Sequence, residues 1–327
     1  MHALSDEVGR LRALGSRGPD IATVGIGTWI MGGAWRMGWG PQDDAQSIHT
    51  LREAWAAGVN WVDTAPIYGL GHAEIITGRA LQGHDDVLVF SKCGMPWNDE
   101  GELGPIDLRP ETIERECDDS LRRIGRDVID LYQLHFPDPV VPVEESWGAM
   151  TDLVTKGKVR WLGLSNHTLG EVQLAHAVRP VDSVQARLHL LDQRNTGDLL
   201  PWCAKEGVGV LAYSPLASGL LASEVDVAML ADDDWRRSDE RFAIERSGAG
   251  AVLDAMATEV PGTSPVTVAV AWLLAQDGLT AAIVGARTTQ EVEALLIARE
   301  LPLSAEAATI IAAAAGRVAF QERPLWR

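Results

Sequence analysis

Three apolar runs of this chain end in a charged or titratable side chain: Asp63, Lys92 and His135, with Tyr68 five residues beyond the first. Trp61-Val62-Asp63 follows Gly58, and Pro66 and Gly69 forbid regular structure behind it. Asp63 is therefore placed where a buried strand stops, and Tyr68 on the loop that leaves it. A buried carboxylate needs a cation. Val87-Leu88-Val89-Phe90-Ser91-Lys92 delivers one, and Ile129-Asp130-Leu131-Tyr132-Gln133-Leu134-His135 adds an imidazole. Singly, each residue has an ordinary structural use: a turn cap, a pocket wall, a lysine snorkelling at a rim. Together they form a constellation for proton transfer. A phenol with a pKa of about 10 is a weak acid at neutral pH unless a cation stabilises its phenolate. Lys92 can supply that cation, and Asp63 can keep Lys92 charged and oriented; their positive neighbour should lower the pKa of His135.

For these side chains to meet, the strands must lie side by side. Asp20 to Gly27 reads as a first strand, and Asp43-Asp44 caps a helix with Ile48, Leu51 and Trp55 on one face that ends at Gly58. Strands ending in Asp63, Lys92 and His135 then alternate with helices from His72 to Leu81, Arg109 to Ile124 and Val143 to Gly157. Val159–Ser165, Val181–Ala186, Gly209–Tyr213 and Ala281–Val284 read as further strands, separated by helices at Leu169 to Val178, Gly197 to Lys205, Ala249 to Glu259 and Ser264 to Gln276. A charged insertion, Ala217 to Ser247, precedes the last strand; a helix from Thr288 and another from Ser304 to about Ala315 close the chain. Eight strand-helix units at spacings of about 20 to 45 residues point to an α/β fold, one (β/α)₈ TIM barrel over residues 1–327, with an insertion after strand seven and a C-terminal helix. All charged strand ends emerge at one face of such a barrel. Gly25-Ile26-Gly27-Thr28-Trp29-Ile30 lacks the third glycine of a dinucleotide fingerprint, so a nucleotide would have to be held some other way.

Asp63-Thr64-Ala65-Pro66-Ile67-Tyr68-Gly69, Ser91-Lys92 and Leu131-Tyr132-Gln133-Leu134-His135 resemble the aldo-keto reductase family. The resemblance continues in register through Gly163-Leu164-Ser165-Asn166, Tyr213-Ser214-Pro215-Leu216 and Val284-Gly285-Ala286-Arg287. The branch most resembled is that of bacterial general aldo-keto reductases, related to potassium-channel β subunits. The resemblance implies an NADPH-dependent reductase of aldehydes or ketones in which hydride goes to the carbonyl carbon and Tyr68 donates the proton. Asp63, Lys92 and His135 complete the implied catalytic set. A dehydrogenase oxidising a sugar or secondary alcohol, or a cofactor-sensing subunit with slow chemistry, are the alternatives.

The same resemblance implies that Ser165, Asn166 and Gln185 hold the nicotinamide carboxamide and that Tyr213 stacks on its ring. Ser214, Pro215, Leu216, Ser218 and Gly219 are implied at the pyrophosphate with Arg241 clamped over it, and Thr28 and Trp29 border ribose and ring. Arg287 with Gly285 and Thr288 opens a helix, where a guanidinium and a helix N-terminus suit a 2′-phosphate and favour NADP(H) over NAD(H). The chain departs from many relatives at Glu291, where they carry glutamine, and at Ala294-Leu295, where they carry Glu-Asn. Trp29, Trp35, Ile67 and Trp97 are the expected substrate-binding residues; of the 12 tryptophans, Trp39 also falls on a loop of that face.

Composition narrows the partners. A net charge of −18 repels nucleic acid and anionic membranes over most of the surface, and the family resemblance implies a small-molecule carbonyl compound as the partner of a monomer or weak oligomer. Cys93, Cys117 and Cys203 are too far apart for a disulfide framework or a zinc site, which suits a reducing cytoplasm. No metal is expected, since no His-Glu-x-x-His or paired cysteine motif occurs. No secretory signal or membrane-length apolar run is visible. Gly163-Leu164-Ser165-Asn166-His167 lacks the second glycine of a hydrolase nucleophile elbow.

Overall fold

The computed structural model describes residues 11–232 and 234–316. The chain begins with a short antiparallel hairpin, β1 (Leu11–Ala13) and β2 (Asp20–Ala22), in which Leu11 pairs with Ala22. The single strand expected from Asp20 to Gly27 is broken at Thr23, and the first barrel strand is β3 (Val24–Gly27). The break has a local cause. The Ala22 N–H is taken by the Asn60 side chain at 2.8 Å and the Ala22 carbonyl by the Trp61 indole N–H at 2.8 Å, so Ala22 leaves the barrel ladder. Gly25 then lets β3 cross the same indole, because a Cβ there would lie 2.2 Å from the Trp61 ring.

The remaining elements follow the expected alternation: α1 (Asp44–Ala56), β4 (Trp61–Asp63), α2 (His72–Ala80), β5 (Leu88–Cys93), α3 (Pro110–Ile124), β6 (Ile129–Leu134), α4 (Val143–Thr155), β7 (Val159–Ser165), α5 (Leu169–Val178), β8 (Ser183–Arg187), α6 (Leu199–Glu206) and β9 (Gly209–Tyr213). After the insertion come α7 (Glu240–Glu259), α8 (Pro265–Leu274), β10 (Ala281–Gly285), α9 (Thr289–Ile297) and α10 (Ala305–Ala314). Strands β3 to β10 close into a parallel eight-stranded barrel in sequence order, β10 pairing with both β3 and β9. This is the (β/α)₈ architecture.

Period-two alternation along the strands sorts the barrel interior into layers. Trp61, Phe90 and Leu131 form the lower layer with Leu211 and Ile283, packed on Leu14 and Ile21 of the hairpin. Two residues further along the same strands come Asp63, Lys92 and Gln133. The hairpin and the apolar layer therefore plug one end of the barrel, and the polar layer sits above them, sealed from below. A second, larger core fills the space between strands and helices.

The insertion departs from the expected outline. Helix α7 begins at Glu240, nine residues before the expected Ala249, and the preceding segment contains short 3₁₀ turns at Ala217–Gly219, Val227–Met229 and Trp235–Arg237. Its aspartates terminate backbone turns: Asp226, Asp234 and Asp239 accept from the N–H groups of Ala228, Arg236 and Phe242 at 2.9, 3.0 and 2.7 Å. The acidic run is thus a set of caps as well as a solvated surface. Among the described residues, no helix is long and apolar enough to cross a membrane.

Candidate active site

The polar layer converges on one ammonium. Lys92 Nζ donates to Asp63 Oδ1 at 2.6 Å, to the Thr64 carbonyl at 2.9 Å and to the Tyr68 hydroxyl oxygen at 3.2 Å. Three donors are thereby matched to three acceptors, and Lys92 is fully buried. Because the Tyr68 oxygen accepts from Lys92, its own O–H is left to be donated elsewhere, and Tyr68 lines the cavity above. The second carboxylate oxygen of Asp63 accepts from Gln185 at 2.8 Å and Gln133 at 3.3 Å, and Gln185 also donates to Gln133 Oε1 at 3.1 Å. The carboxylate is held from β5, β6 and β8 at once.

His135, one residue beyond β6, meets the Tyr68 ring edge-on with centroids 5.9 Å apart and stacks on Phe136 at 5.0 Å. Burial, reinforced by the charge of Lys92, pushes the His135 pKa well below its usual value, so the imidazole is neutral. Burial pulls Lys92 down, but Asp63 and Tyr68 outweigh it and its pKa lies above normal. Tyr68 differs from the simple expectation: burial raises its pKa more than Lys92 lowers it, and the net direction is up. The phenol is therefore firmly protonated in this state, as a proton donor must be.

Above this cluster lies a cavity of about 370 Å³. Of the residues singled out from the sequence, its walls contain Trp29, Asp63, Tyr68, His135, Ser165, Asn166, Gln185, Tyr213, Ser214, Pro215, Leu216, Ser218, Gly219, Gly285, Arg287 and Glu291. The backbone is unusual at two points of that wall. Asn166 and, in the loop after β9, Ser214 and Ser218 have φ of 62°, 56° and 56°, a left-handed conformation that costs non-glycine residues of order 1–3 kcal/mol each. Asn166 is fixed by three hydrogen bonds: Nδ2 donates to the His135 carbonyl at 2.9 Å and to Ser165 Oγ at 3.1 Å, and Oδ1 accepts from the Tyr213 hydroxyl at 2.6 Å. Turn bonds within the β9 loop already take the N–H groups of Ala217 and Gly219, to Ser214 and Leu216 at 2.9 and 3.0 Å.

Several expected site residues have other partners in this structure or stand off the cavity wall. Gln185 uses its amide on Asp63 and Gln133, so it acts within the barrel floor. Thr28 is fully buried, with its N–H and hydroxyl turned to the Asp63 carbonyl at 2.9 and 3.4 Å, and Thr288 spends its hydroxyl on the Glu291 N–H at 3.3 Å as the cap of α9. Neither lines the cavity. Ile67 is buried in a separate cluster with Ala65, Met95 and Phe136, against which Trp35 and Trp97 pack, and Trp97 faces Arg123 at 5.7 Å. These three apolar residues stand beside the cavity because each found a closer apolar neighbour. Arg241 lies on the first turn of α7, off the cavity wall, its pKa lowered by burial and by Arg187.

Other residues in or beside the site were assigned no role from the sequence, Trp39 excepted. Gln133 was legible only through the strand alternation that puts it level with Lys92. Arg187, at the end of β8, donates to both Glu245 oxygens at 2.8 and 2.9 Å, tying α7 to the barrel across a buried ion pair. Trp235 from the insertion reaches Trp29 at 5.9 Å, and Arg236 lies 4.3 Å over the Trp39 ring while donating to the Ser218 carbonyl at 3.3 Å. The indole N–H groups of Trp39 and Trp235, both on the wall, are buried without a protein partner. Such donors are suited to a polar ligand atom.

A closed barrel with a lysine–carboxylate–phenol cluster at one mouth and a long cavity above it is an oxidoreductase arrangement. The chain belongs to the aldo/keto reductase family, whose sequence pattern matches residues 23–315. It is 34% identical over 291 residues to aldo-keto reductase YhdN of Bacillus subtilis, covering 86% of each chain. It is 31% identical over 319 residues to an NADH-specific methylglyoxal reductase of Escherichia coli, covering 91% of this chain and 96% of that one. Among solved structures, a glycerol dehydrogenase, AKR11B4, from Gluconobacter oxydans superposes with a TM-score of 0.84 at 32% identity, over 97% of this chain and 99% of that one. The protein is thus an oxidoreductase acting on carbonyl or alcohol groups.

Proposed function

We propose that this protein reduces a small aldehyde or ketone, with a nicotinamide dinucleotide in the cavity and Tyr68 as the proton donor. The observation that carries this reading is the single ammonium shared by Asp63 and Tyr68. Lys92 keeps its proton while Asp63 pairs it, and it donates to the phenol oxygen, which leaves the O–H free to be donated to a ligand in the cavity. When bound, the reduced nicotinamide supplies the hydride. The chain's residues do the rest. Tyr68 gives its proton to the oxygen of the substrate as negative charge develops there, Lys92 stabilises the resulting phenolate, and neutral His135 orients the carbonyl by hydrogen bonding.

The residues present fit a dinucleotide. The cavity runs from Tyr68 past Asn166 and Tyr213, along the left-handed loop after β9, to the N-terminus of α9, where Ala294, Leu295 and Val266 make an apolar end. Ser165 and Asn166 would hold a carboxamide and Tyr213 would face the ring. Arg287 taken alone supports NADP(H); its bonds to Glu291 carry a different choice.

The likeness to a glycerol dehydrogenase supports a second use of the same site, with an alcohol as substrate and Tyr68 phenolate as the acceptor. The named substrates of the relatives, methylglyoxal and glycerol, are small and polar, so a small carbonyl compound is the first to try. Three buried, unpaired cysteines suit a reducing compartment such as the cytoplasm. The decisive experiment is Tyr68→Phe, read as reduced dinucleotide oxidised with a short aldehyde or 2-oxoaldehyde. Turnover should fall about 10²–10⁴-fold with dinucleotide affinity nearly unchanged. Near-normal turnover would remove Tyr68 from the acid role.

A further inference from the structure

We infer that Glu291 makes this site prefer NADH to NADPH. The inference rests on the nicotinamide reading above and concerns the far end of the same cavity. Arg287 and Glu291 both line it where α9 begins. A 2′-phosphate would need two things from that corner: the Arg287 guanidinium and a free N–H at the helix start. Glu291 engages the first of these and, just ahead of the helix, the Arg287 backbone N–H. Its Oε2 accepts from the Arg287 backbone N–H at 2.6 Å, and its Oε1 accepts from Arg287 Nη2 at 3.2 Å. The Glu291 N–H is in turn bonded to the Thr288 hydroxyl at 3.3 Å, which fixes the first turn that carries the carboxylate.

The charge along the wall agrees. Among the described residues lining the cavity, Arg187 and Arg287 are the only lysines or arginines, and each is paired with a carboxylate, Arg187 with Glu245 and Arg287 with Glu291. Asp239 and Glu291 also face it, on a chain of net charge −18. A phosphate monoester adds close to two negative charges at neutral pH. At this corner it would have to displace Glu291 from Arg287 and then remain beside it. A ribose bearing free hydroxyl groups asks for the opposite chemistry, because a carboxylate accepts hydrogen bonds from a diol. Glu291 is placed to be that acceptor while Arg287 holds it in position.

The test is direct binding, read by quenching of the cavity tryptophans Trp29 and Trp235, with NADH and NADPH titrated separately into wild type and Glu291→Gln. The amide keeps the length and the acceptor oxygen and removes the charge. Wild type should bind NADH more tightly than NADPH, and Glu291→Gln should improve NADPH binding about tenfold or more while NADH changes little. A thermal melt of each variant checks that α9 is intact. Tighter NADPH than NADH binding in wild type, or a ratio that moves less than about twofold in the variant, would overturn the role of Glu291 and leave the reductase reading standing. Failure of both dinucleotides to bind would overturn the two together.

Discussion

The Gln185 amide stands 2.8 Å from the Asp63 oxygen that Lys92 leaves open. With Gln133 on the same oxygen at 3.3 Å, the two glutamines give the buried carboxylate a partner on each side. These donors compensate a buried carboxylate, and Asp63 in turn raises the pKa of Lys92 next to Tyr68. The floor of the site is therefore a network running across the barrel from β4 and β5 to β6 and β8.

Removing the ammonium should damage stability and chemistry by separable routes. In Lys92→Met, Asp63 is left as a buried charge without its cation, which costs roughly 3–5 kcal/mol, and turnover should fall by at least about 10³-fold. Adding Asp63→Asn removes the stranded charge, so the double variant should melt at a higher temperature than Lys92→Met alone while recovering no turnover. Differential scanning calorimetry with an aldehyde-reduction assay reads both. Equal melting temperatures for the single and double variants would mean that Asp63 is not the charge Lys92 compensates.

The pH profile follows from the directions of two shifts. His135 lies well below its usual range through burial and Lys92, so it is already neutral at pH 6, and acidification to that point removes nothing. Tyr68 is raised by burial, so it keeps its proton past about pH 10. Turnover in the reducing direction should be flat from about pH 6 to about 9. A fall centred near pH 6.5 in a steady-state kcat profile would show His135 titrating as an ordinary imidazole.

Glu116 gives a stability prediction away from the chemistry. It is buried on α3, where its carboxylate accepts from the Gly94 N–H at 2.6 Å just beyond β5, and burial pushes its pKa up to about 7 against that bond. A carboxyl raised in the folded state contributes stability that is complete below its unfolded value, near 4.3, and is lost as pH rises through about 7. Glu116→Gln keeps an acceptor for Gly94 and abolishes the titration. Its melting temperature should exceed that of wild type at pH 8, by an effect of at most ~4 kcal/mol, and match it near pH 4. Identical differences at the two pH values would show that Glu116 does not titrate in this window.

Much of this architecture was legible in the chain. Capping aspartates, glycine stops and apolar periodicity placed α1, α5, β7 and β9 nearly to the residue, because those signals act within a few positions of one another. The start of α7 was not legible: Ala217 to Ser247 reads as a charged insertion, whereas packing of Phe242 and the Arg187–Glu245 pair holds its last residues helical. The break at Thr23 was missed for the same reason, since it depends on side chains of Asn60 and Trp61 that arrive from another strand.

The sequence by itself determined the rhythm of strands and helices, the family, and the four residues Asp63, Tyr68, Lys92 and His135, because each is written in local pattern or contiguous motif. Only the tertiary structure decided where neighbours compete for one group: Gln185 spent on Asp63, Ile67 and Trp97 drawn into a side cluster, and Arg287 bonded to Glu291. Such choices depend on distances between residues far apart along the chain or on which of several partners is nearest, and spacing in sequence does not encode them.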